Sequence, residues 1–326
     1  MNSIIILGPT AVGKSKLGIE LAQKINGEII SADSMQVYRG MDIGTAKPTF
    51  EERQGIPHHL IDIRNPDEEW TVSDFVEQTN QLTNDLINRG KTPIIVGGTG
   101  LYLWALLEGF SFPIAPADRE LRTRLEKQPT STLYARLSAI DPKAAIRIHE
   151  NDKKRIIRAL EVYELTGKPI SALQARREPE IKISVPSESK ARINSRFANL
   201  FAGSILIGLT LPREELYLRI NQRVDNMLAK GLIDEVKGLL AKGYPKELPS
   251  FQALGYKEVI EYLQGHWTKE EMIEELKKRT RNFARKQMTW FRRFKNINWI
   301  EVKSELCSLT KLCYNLWHDQ NQTTRN

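Results

Sequence analysis

The sequence predicts an α/β fold, a parallel sheet flanked by helices, carrying a helical insertion domain. Three observations lead there. Ser3–Leu7, Glu28–Ala32, Pro93–Val96 and Ser204–Leu211 are short apolar runs without polar alternation, the pattern of strands buried on both faces. Amphipathic helical stretches separate them, which calls for crossover connections. Between the first run and the first helix stands Gly8-Pro9-Thr10-Ala11-Val12-Gly13-Lys14-Ser15, a match to G-x-x-x-x-G-K-[ST] that makes the sheet P-loop NTPase-like.

Taken in order, Lys14–Ile25 spaces Leu17, Leu21 and Ile25 four apart and closes near Gly27, so it reads as a helix. The second strand, Glu28–Ala32, ends at Asp33, and Leu60–Ile63 is a weak third strand. Thr71-x-x-Asp74 resembles a capping box and opens a helix that stops at Gly90. The next strand, Pro93–Val96, runs into Gly97-Gly98-Thr99-Gly100. From Pro113 the periodicity is helical for some 60 residues, including a helix over Asp152–Thr166 capped by Asn151 and closed by Gly167. Glu178–Ser195 reads as a loop or linker, rich in Pro, Ser and scattered charge. After Ser204–Leu211, Pro212 takes the first helical position, and Leu216, Ile220, Val224, Met227 and Leu228 form an inward stripe. Further helices fall at 232–242, 253–264 and 268–293. The expected division is a discontinuous catalytic core, 1–112 and 201–300, a basic helical insertion, 113–200, and a C-terminal extension, 301–326.

The chain has 326 residues with 40% apolar and 27% charged, an ordinary globular balance. Cys307 and Cys313 make neither a disulfide framework nor a four-cysteine metal site, which suits a reducing cytoplasm. The longest uncharged run, Phe197–Pro212, is 16 residues, too short for a membrane span, and no secretory leader is expected at Met1. The net charge of +8 is unevenly placed. Residues 119–196 hold 18 cations against 10 anions, and 276–296 hold nine cations and no anion. Such polarisation is the footprint of a polyanionic partner.

The glycine loop lets backbone N–H groups wrap phosphate oxygens, with Lys14 as a point charge and Ser15 as a Mg²⁺-binding hydroxyl. Nucleotide hydrolysis or kinase chemistry also needs a Walker-B Asp at the end of a later strand. The strand at 93–96 ends in glycines and the strand at 204–211 in Pro212; only Asp33 and Asp62 end strands. Asp33, at a strand end where ligands bind, is a base, a metal ligand or a turn cap. His58-His59 lack the spacing of metal ligands and are expected to pack or hydrogen-bond. Arg219 and Arg223 lie four apart on the helix after the last strand and can point together at a phosphate.

Several segments together resemble bacterial tRNA dimethylallyltransferases, also called tRNA isopentenyltransferases. They are Gly8–Ser15, Asp33–Tyr38, Gly40–Pro48, Pro57–Asp62, Gly97–Tyr102, Gly255-Tyr256-Lys257 and Arg285–Arg292. The segment 178–200 departs from the family pattern. The resemblance implies transfer of a dimethylallyl group from its diphosphate to N6 of adenosine 37 of tRNA, with Mg²⁺ as cofactor and no need of a hydrolytic carboxylate. It implies Asp33 as the base that takes the N6 proton, Lys14, Thr99, Arg219 and Arg223 as its catalytic companions, and residues 8–15 (Gly8, Pro9, Thr10, Ala11, Val12, Gly13, Lys14, Ser15) as the diphosphate cradle. It further implies tRNA contacts at Asp33, Ser34, Met35, Gln36 and Thr99, and in the insertion at Arg122 and over Lys154, Arg155, Ile156, Ile157 and Arg158. The expected partners are dimethylallyl diphosphate and the tRNA anticodon stem-loop, and the expected state is a monomer with no membrane association.

Lys153, Lys154, Arg155 and Arg158 crowd the start of the insertion helix against its dipole, a placement expected to answer to RNA phosphates. Replacing Lys154, Arg155 and Arg158 by Gln is therefore expected to hold or slightly raise the melting temperature. The competing functions are an adenylate isopentenyltransferase, a P-loop kinase of a small metabolite, and a non-catalytic RNA-binding protein, which would leave the P-loop and Asp33 without a use.

Overall fold

Side-chain alternation along Ile4–Leu7 (β1) sends Ile4 and Ile6 to one face and Ile5 and Leu7 to the other, and all four are fully buried. The computed structural model describes residues 3–108, 118–173, 201, 203–302 and 306–323. After β1 come α1 (Lys14–Ile25), β2 (Gly27–Ala32), β3 (His58–His59), α2 (Val72–Asn88), β4 (Thr92–Gly97) and α3 (Gly100–Glu108). Five helices follow: α4 (Arg119–Glu126), α5 (Thr130–Ile140), α6 (Pro142–Arg147), α7 (Lys153–Thr166) and α8 (Ile170–Leu173). The chain then forms β5 (Ile205–Thr210), α9 (Arg213–Ala229), α10 (Leu232–Ala241), α11 (Tyr256–Leu263), α12 (Lys269–Phe291), β6 (Ile297–Glu301) and α13 (Leu306–Thr323).

Two compact units result: Met1–Leu107 with Asn199–Asn326, and Glu108–Ala198. In the first, six strands in the order β3-β2-β4-β1-β5-β6 make a wholly parallel sheet. One face packs Ile4, Ile6 and Ile94 against Leu17 and Leu21 of α1 and Ile220 of α9. The other packs Ile5, Ile30 and Ile95 against Phe75 of α2, Leu103 of α3 and Phe291 of α12. Each such side chain contributes about 1.5–3 kcal/mol on burial, so both faces demand helical cover. The expected Thr71 capping box is formed, with Asp74 N–H donating to the threonine Oγ1 at 3.2 Å and Thr71 N–H to Oδ2 of Asp74 at 2.8 Å. The second unit is an all-helical cluster whose core includes Leu125, Leu133, Ile156 and Leu160.

The structure corrects several boundaries. The third strand lies at His58–His59, pairing with Ile29 and Ile30, and not at 60–63. Leu60 and Asp62 take left-handed conformations, φ 61° and 57°, which end the ladder. The insertion helix begins at Lys153 with Asp152, not Asn151, as its cap; the Asp152 carboxylate accepts the Arg155 N–H at 3.2 Å. Pro212 is the cap of α9 and not its first residue. Beyond residue 294 the chain adds β6 to the sheet edge and lays α13 beside α1, where Thr310 Oγ1 donates to Glu20 at 2.5 Å. The linker reading of 178–195 lies outside the described residues.

Candidate active site

β1 delivers the chain to Gly8 at φ 152°, where a Cβ would strike the Leu209 carbonyl of β5. Ala11 and Gly13 also have positive φ, 65° and 102°, and the turn they make hands the chain to the N-terminus of α1. No acidic side chain occupies the first turn of α1, so its positive end is left for an anion. Val12 is buried beneath the loop, and Ser15 is exposed in the first turn. Lys14 Nζ donates to the Pro9 carbonyl at 2.7 Å, folding the lysine back over the loop. Burial first, and then the charge of Arg223, lower the Lys14 ammonium to about 7, with Asp33 acting in the opposite direction. Burial likewise lowers Arg223, again opposed by Asp33. Two cations and one carboxylate therefore share a desolvated neighbourhood with a surplus of positive charge.

Asp33 follows β2 directly. Its Oδ1 accepts the N–H groups of Met35 at 2.9 Å and Gln36 at 3.4 Å, so it does cap a turn. That geometry leaves Oδ2 for chemistry. Thr99, just past β4, reaches across with its Oγ1 accepting the Ser34 N–H at 3.1 Å. A cavity of about 260 Å³ joins these parts: Thr10, Asp33, Ser34, Met35, Thr99 and Arg223 line it. Its remaining wall is largely apolar, with Val224 and Met227 of α9, Leu254, and Leu276 and Phe283 of α12. A larger cleft of about 580 Å³ beside β3 and α2 is lined by His58, His59, Asp74, Glu77 and Asp85, acidic company that suits no phosphate, and it includes no P-loop residue.

Other residues expected at the site are placed differently. Arg219 pairs with Glu215 at 2.7 Å, one turn back on α9, and does not line the cavity with Arg223. The Gln36 side-chain amide is spent on Ser31 Oγ at 3.0 Å and the carbonyls of Thr45 and Ala46 at 3.4 and 3.5 Å. Asp62 ends no strand; its Oδ1 accepts from Lys47 at 2.6 Å. His58 and His59 hydrogen-bond to the Ile56 carbonyl and to Glu28, at 2.8 and 2.7 Å. At the end of β4, the strand beside β1, a Cβ on Gly97 would collide with the backbone and side chain of Ala32, so that strand end has no room for a Walker-B carboxylate.

In the helical unit, Glu161 is fully buried and gathers Arg122, through Nε at 2.8 Å and Nη2 at 2.9 Å, Arg158 at 2.5 Å, and the Asp118 N–H at 2.8 Å. Burial pushes its carboxyl up, but these hydrogen bonds outweigh it and hold the group below the usual range. Ile156 and Ile157, in the stretch expected to contact RNA, are core residues of this unit, and their side chains face the interior. Lys153 donates to the carbonyls of Glu126 and Gln128, at 2.7 and 2.8 Å, and Arg155 pairs with Asp152 at 3.3 Å. The crowded cations thus have local partners that the sequence alone did not display. The Lys154 side chain has no hydrogen bond or ion pair among the described residues.

The profile of the IPP transferase family matches residues 36–294. The chain belongs to that family. A relative from Pelotomaculum thermopropionicum called tRNA dimethylallyltransferase is 47% identical over 304 residues, 92% of this chain and 91% of its own. One of the same name from Acetivibrio thermocellus is 47% identical over 319 residues, 97% of this chain and 96% of its own. Among solved structures, the full-length tRNA isopentenylpyrophosphate transferase from Bacillus halodurans superposes with a TM-score of 0.69 at 40% identity, covering 100% of this chain and 99% of that one. A eukaryotic dimethylallyltransferase described as acting on tRNA gives 0.75 at 32% identity, over 93% of this chain and 74% of its own.

Within this family framework, one residue that sequence reasoning passed over ties the site together. Gln287, buried on α12, accepts the Thr10 N–H through Oε1 and donates through Nε2 to the Gly98 carbonyl, both at 2.8 Å. It joins the P-loop to the loop carrying Thr99. Its signal was present only as the Gln of the Arg285–Arg292 segment, with nothing to indicate a partner 277 residues away.

Proposed function

We propose that this protein transfers a dimethylallyl group from dimethylallyl diphosphate to N6 of adenosine 37 in tRNA, giving N6-isopentenyladenosine and diphosphate. The observation that carries the reading is the single cavity in which the P-loop mouth, a carboxylate with one uncommitted oxygen and a desolvated arginine meet an apolar wall. The C–O bond of the allylic ester breaks as the N6 lone pair bonds to the allylic carbon. Asp33 Oδ2 receives the N6 proton, while Oδ1 stays on the Met35 N–H. Thr99 keeps Ser34, and with it the Asp33 turn, facing the cavity. Lys14, Arg223 and the amides of residues 8–15 meet the charge that grows on the departing diphosphate. Val224, Met227 and Leu276 keep water from the cation-like carbon.

Ser15 offers one neutral oxygen, and no group of three His, Cys, Asp or Glu suited to a metal exists among the described residues. That neutral oxygen suits Mg²⁺, which Ser15 Oγ would help to hold beside a phosphate substrate. When bound, it adds positive charge at the leaving group. We assign Lys154 and Arg155 to the phosphates of the anticodon stem-loop, and Arg122 and Arg158 first to Glu161. A tRNA substrate sets the reaction in the cytoplasm, and one chain carries every residue invoked, which suits a monomer. Among the described residues no helix is long and apolar enough to cross a membrane.

The test is to incubate the protein with dimethylallyl diphosphate or ATP, and with tRNA or AMP, and to weigh the digested nucleosides. The expected result is an added five-carbon group on tRNA adenosine without ATP. Modification of AMP alone, or phosphate transfer from ATP, would overturn the assignment.

A further inference from the structure

The turn at residues 41–47 supplies one wall of the cavity through Gly44 and Thr45. Three successive backbone N–H groups of this turn point at one side chain, Glu235 of α10. Asp42 N–H and Ile43 N–H donate to its Oε2 at 3.0 and 2.8 Å, and Gly44 N–H to its Oε1 at 3.2 Å. The Tyr256 hydroxyl adds a fourth bond to Oε1, at 2.6 Å. Consecutive N–H groups converging in this way form an anion-binding nest, here filled by a carboxylate of the same chain. Tyr256 is itself fully buried, and its ring stands where a Cβ on Gly44 would be. The next residue carries the consequence: the Thr45 carbonyl accepts from Arg223 Nη2 at 3.5 Å and from Gln36 Nε2 at 3.4 Å.

We propose that Glu235 is a positioning residue for the transfer reaction. It fixes the backbone of residues 42–44, and through the Thr45 carbonyl it sets the Arg223 guanidinium toward the diphosphate. Glu235 touches neither substrate. This inference rests on the prenyl-transfer reading for the identity of the ligand, but not for the geometry.

The chemistry of the nest makes the claim specific. A carboxylate presents about four acceptor sites, and four donors take them. A glutamine keeps one carbonyl oxygen and gains two donors. With its oxygen on the Asp42 and Ile43 amides, its NH₂ faces Tyr256 and Gly44. The tyrosine hydroxyl can rotate to accept; the Gly44 N–H cannot, and it is left opposed to another donor. Glu235→Gln should therefore harm the site nearly as much as Glu235→Ala, although it is isosteric. Tyr256→Phe removes one donor and leaves the three amides held, so it should do less.

The experiment compares wild type with Glu235→Gln, Glu235→Ala and Tyr256→Phe in three measurements: amide exchange of residues 42–45, affinity for inorganic diphosphate, and single-turnover prenyl transfer to tRNA. For both Glu235 variants we expect faster exchange at 42–44, diphosphate affinity weakened about tenfold or more, and transfer slowed about 10²-fold, the scale of an ångström of misplacement. The affinity for tRNA should stay within about twofold, because backbone phosphates dominate it. Tyr256→Phe should lose less than about tenfold in transfer. A Glu235→Gln protein with wild-type exchange and diphosphate affinity would overturn the positioning role, as would a loss of activity matched by an equal loss of folded protein. A wild-type protein that binds diphosphate but leaves tRNA unmodified would overturn the prenyl-transfer reading, while exchange and diphosphate affinity would still decide the role of Glu235.

Discussion

Arg158 and its two neighbours on α7 give the sharpest test of how the helical unit works. From sequence, Gln at 154, 155 and 158 should relieve repulsion and leave stability intact. The structure divides the three. Lys154 is unpartnered among the described residues, and the Arg155–Asp152 pair, with side chains 68% and 33% exposed, is worth little. Lys154→Gln with Arg155→Gln should keep the melting temperature or raise it slightly. Arg158→Gln removes one of four bonds to a carboxylate with no solvent exposure. A hydrogen bond to a buried charge is worth about 1.5–3 kcal/mol, and with Arg158 34% exposed and the Arg122 fork still in place the loss reduces to about 1–2 kcal/mol. Adding Arg158→Gln should thus lower the melting temperature by several degrees. The assay pairs thermal melting with tRNA affinity over a salt series. If Lys154 and Arg155 each meet one phosphate, the double variant loses about 1.4–1.8 from the log–log salt slope. The third substitution should add little to that loss. A triple variant as stable as the double, with a further fall in slope, would mean that Arg158 serves RNA and not Glu161.

Lys14→Ala should abolish transfer while melting temperature holds or rises, because the ammonium is costly to desolvate; normal turnover at saturating donor would remove the P-loop from diphosphate binding. Asp33→Asn keeps an oxygen for the Met35 N–H and loses only basicity, so single-turnover kcat should fall about 10²–10⁴-fold with tRNA affinity unchanged. The Lys14 pKa of about 7 makes donor binding pH-dependent: a bound diphosphate favours the ammonium, so binding takes up a proton above pH 7. The KM for donor should be flat below that pH and climb up to tenfold per unit above it, and Lys14→Arg, always charged, should flatten the climb; a KM level from pH 6 to 9 in the wild type would refute the link.

Much of this molecule could be read from its residues because the relevant forces are local. The run from Ser3 to Ile25 combines a doubly buried strand, glycines required by a loop and an apolar stripe at helical spacing, and α1 spans the expected residues. Asp33 could be singled out because the strand pattern ends beside it. Other features had no local signal. β3 ends where two non-glycine residues turn left-handed, and nothing in Leu60–Ile63 announces that. β6 is a five-residue, largely exposed edge strand, and it nests on β5 because Gly208 leaves space that Ile297 and Trp299 fill, a partner no local pattern displays. Glu161, Glu235 and Gln287 acquire their roles only when elements distant in sequence meet. Arg219 is the opposite case: Glu215, four residues earlier on the same helix, was a visible partner, and the i, i+4 rule would have separated it from Arg223.

The tight approach of β4 to β2 bears on what this scaffold can be engineered to do. Placing an Asp at residue 97 to supply the metal-holding acid of a hydrolase would push on Ala32, the residue immediately before Asp33. The displaced strand is the one that carries the proposed proton acceptor, and the Thr99 N–H reaches the Ala32 carbonyl at 3.3 Å across the same gap. Gaining the acid of a nucleotide hydrolase and keeping the base of an alkyl transferase are therefore mutually exclusive demands on one strand end, and a swap between the two chemistries would have to rebuild the β2–β4 pairing before any single active-site residue could take effect.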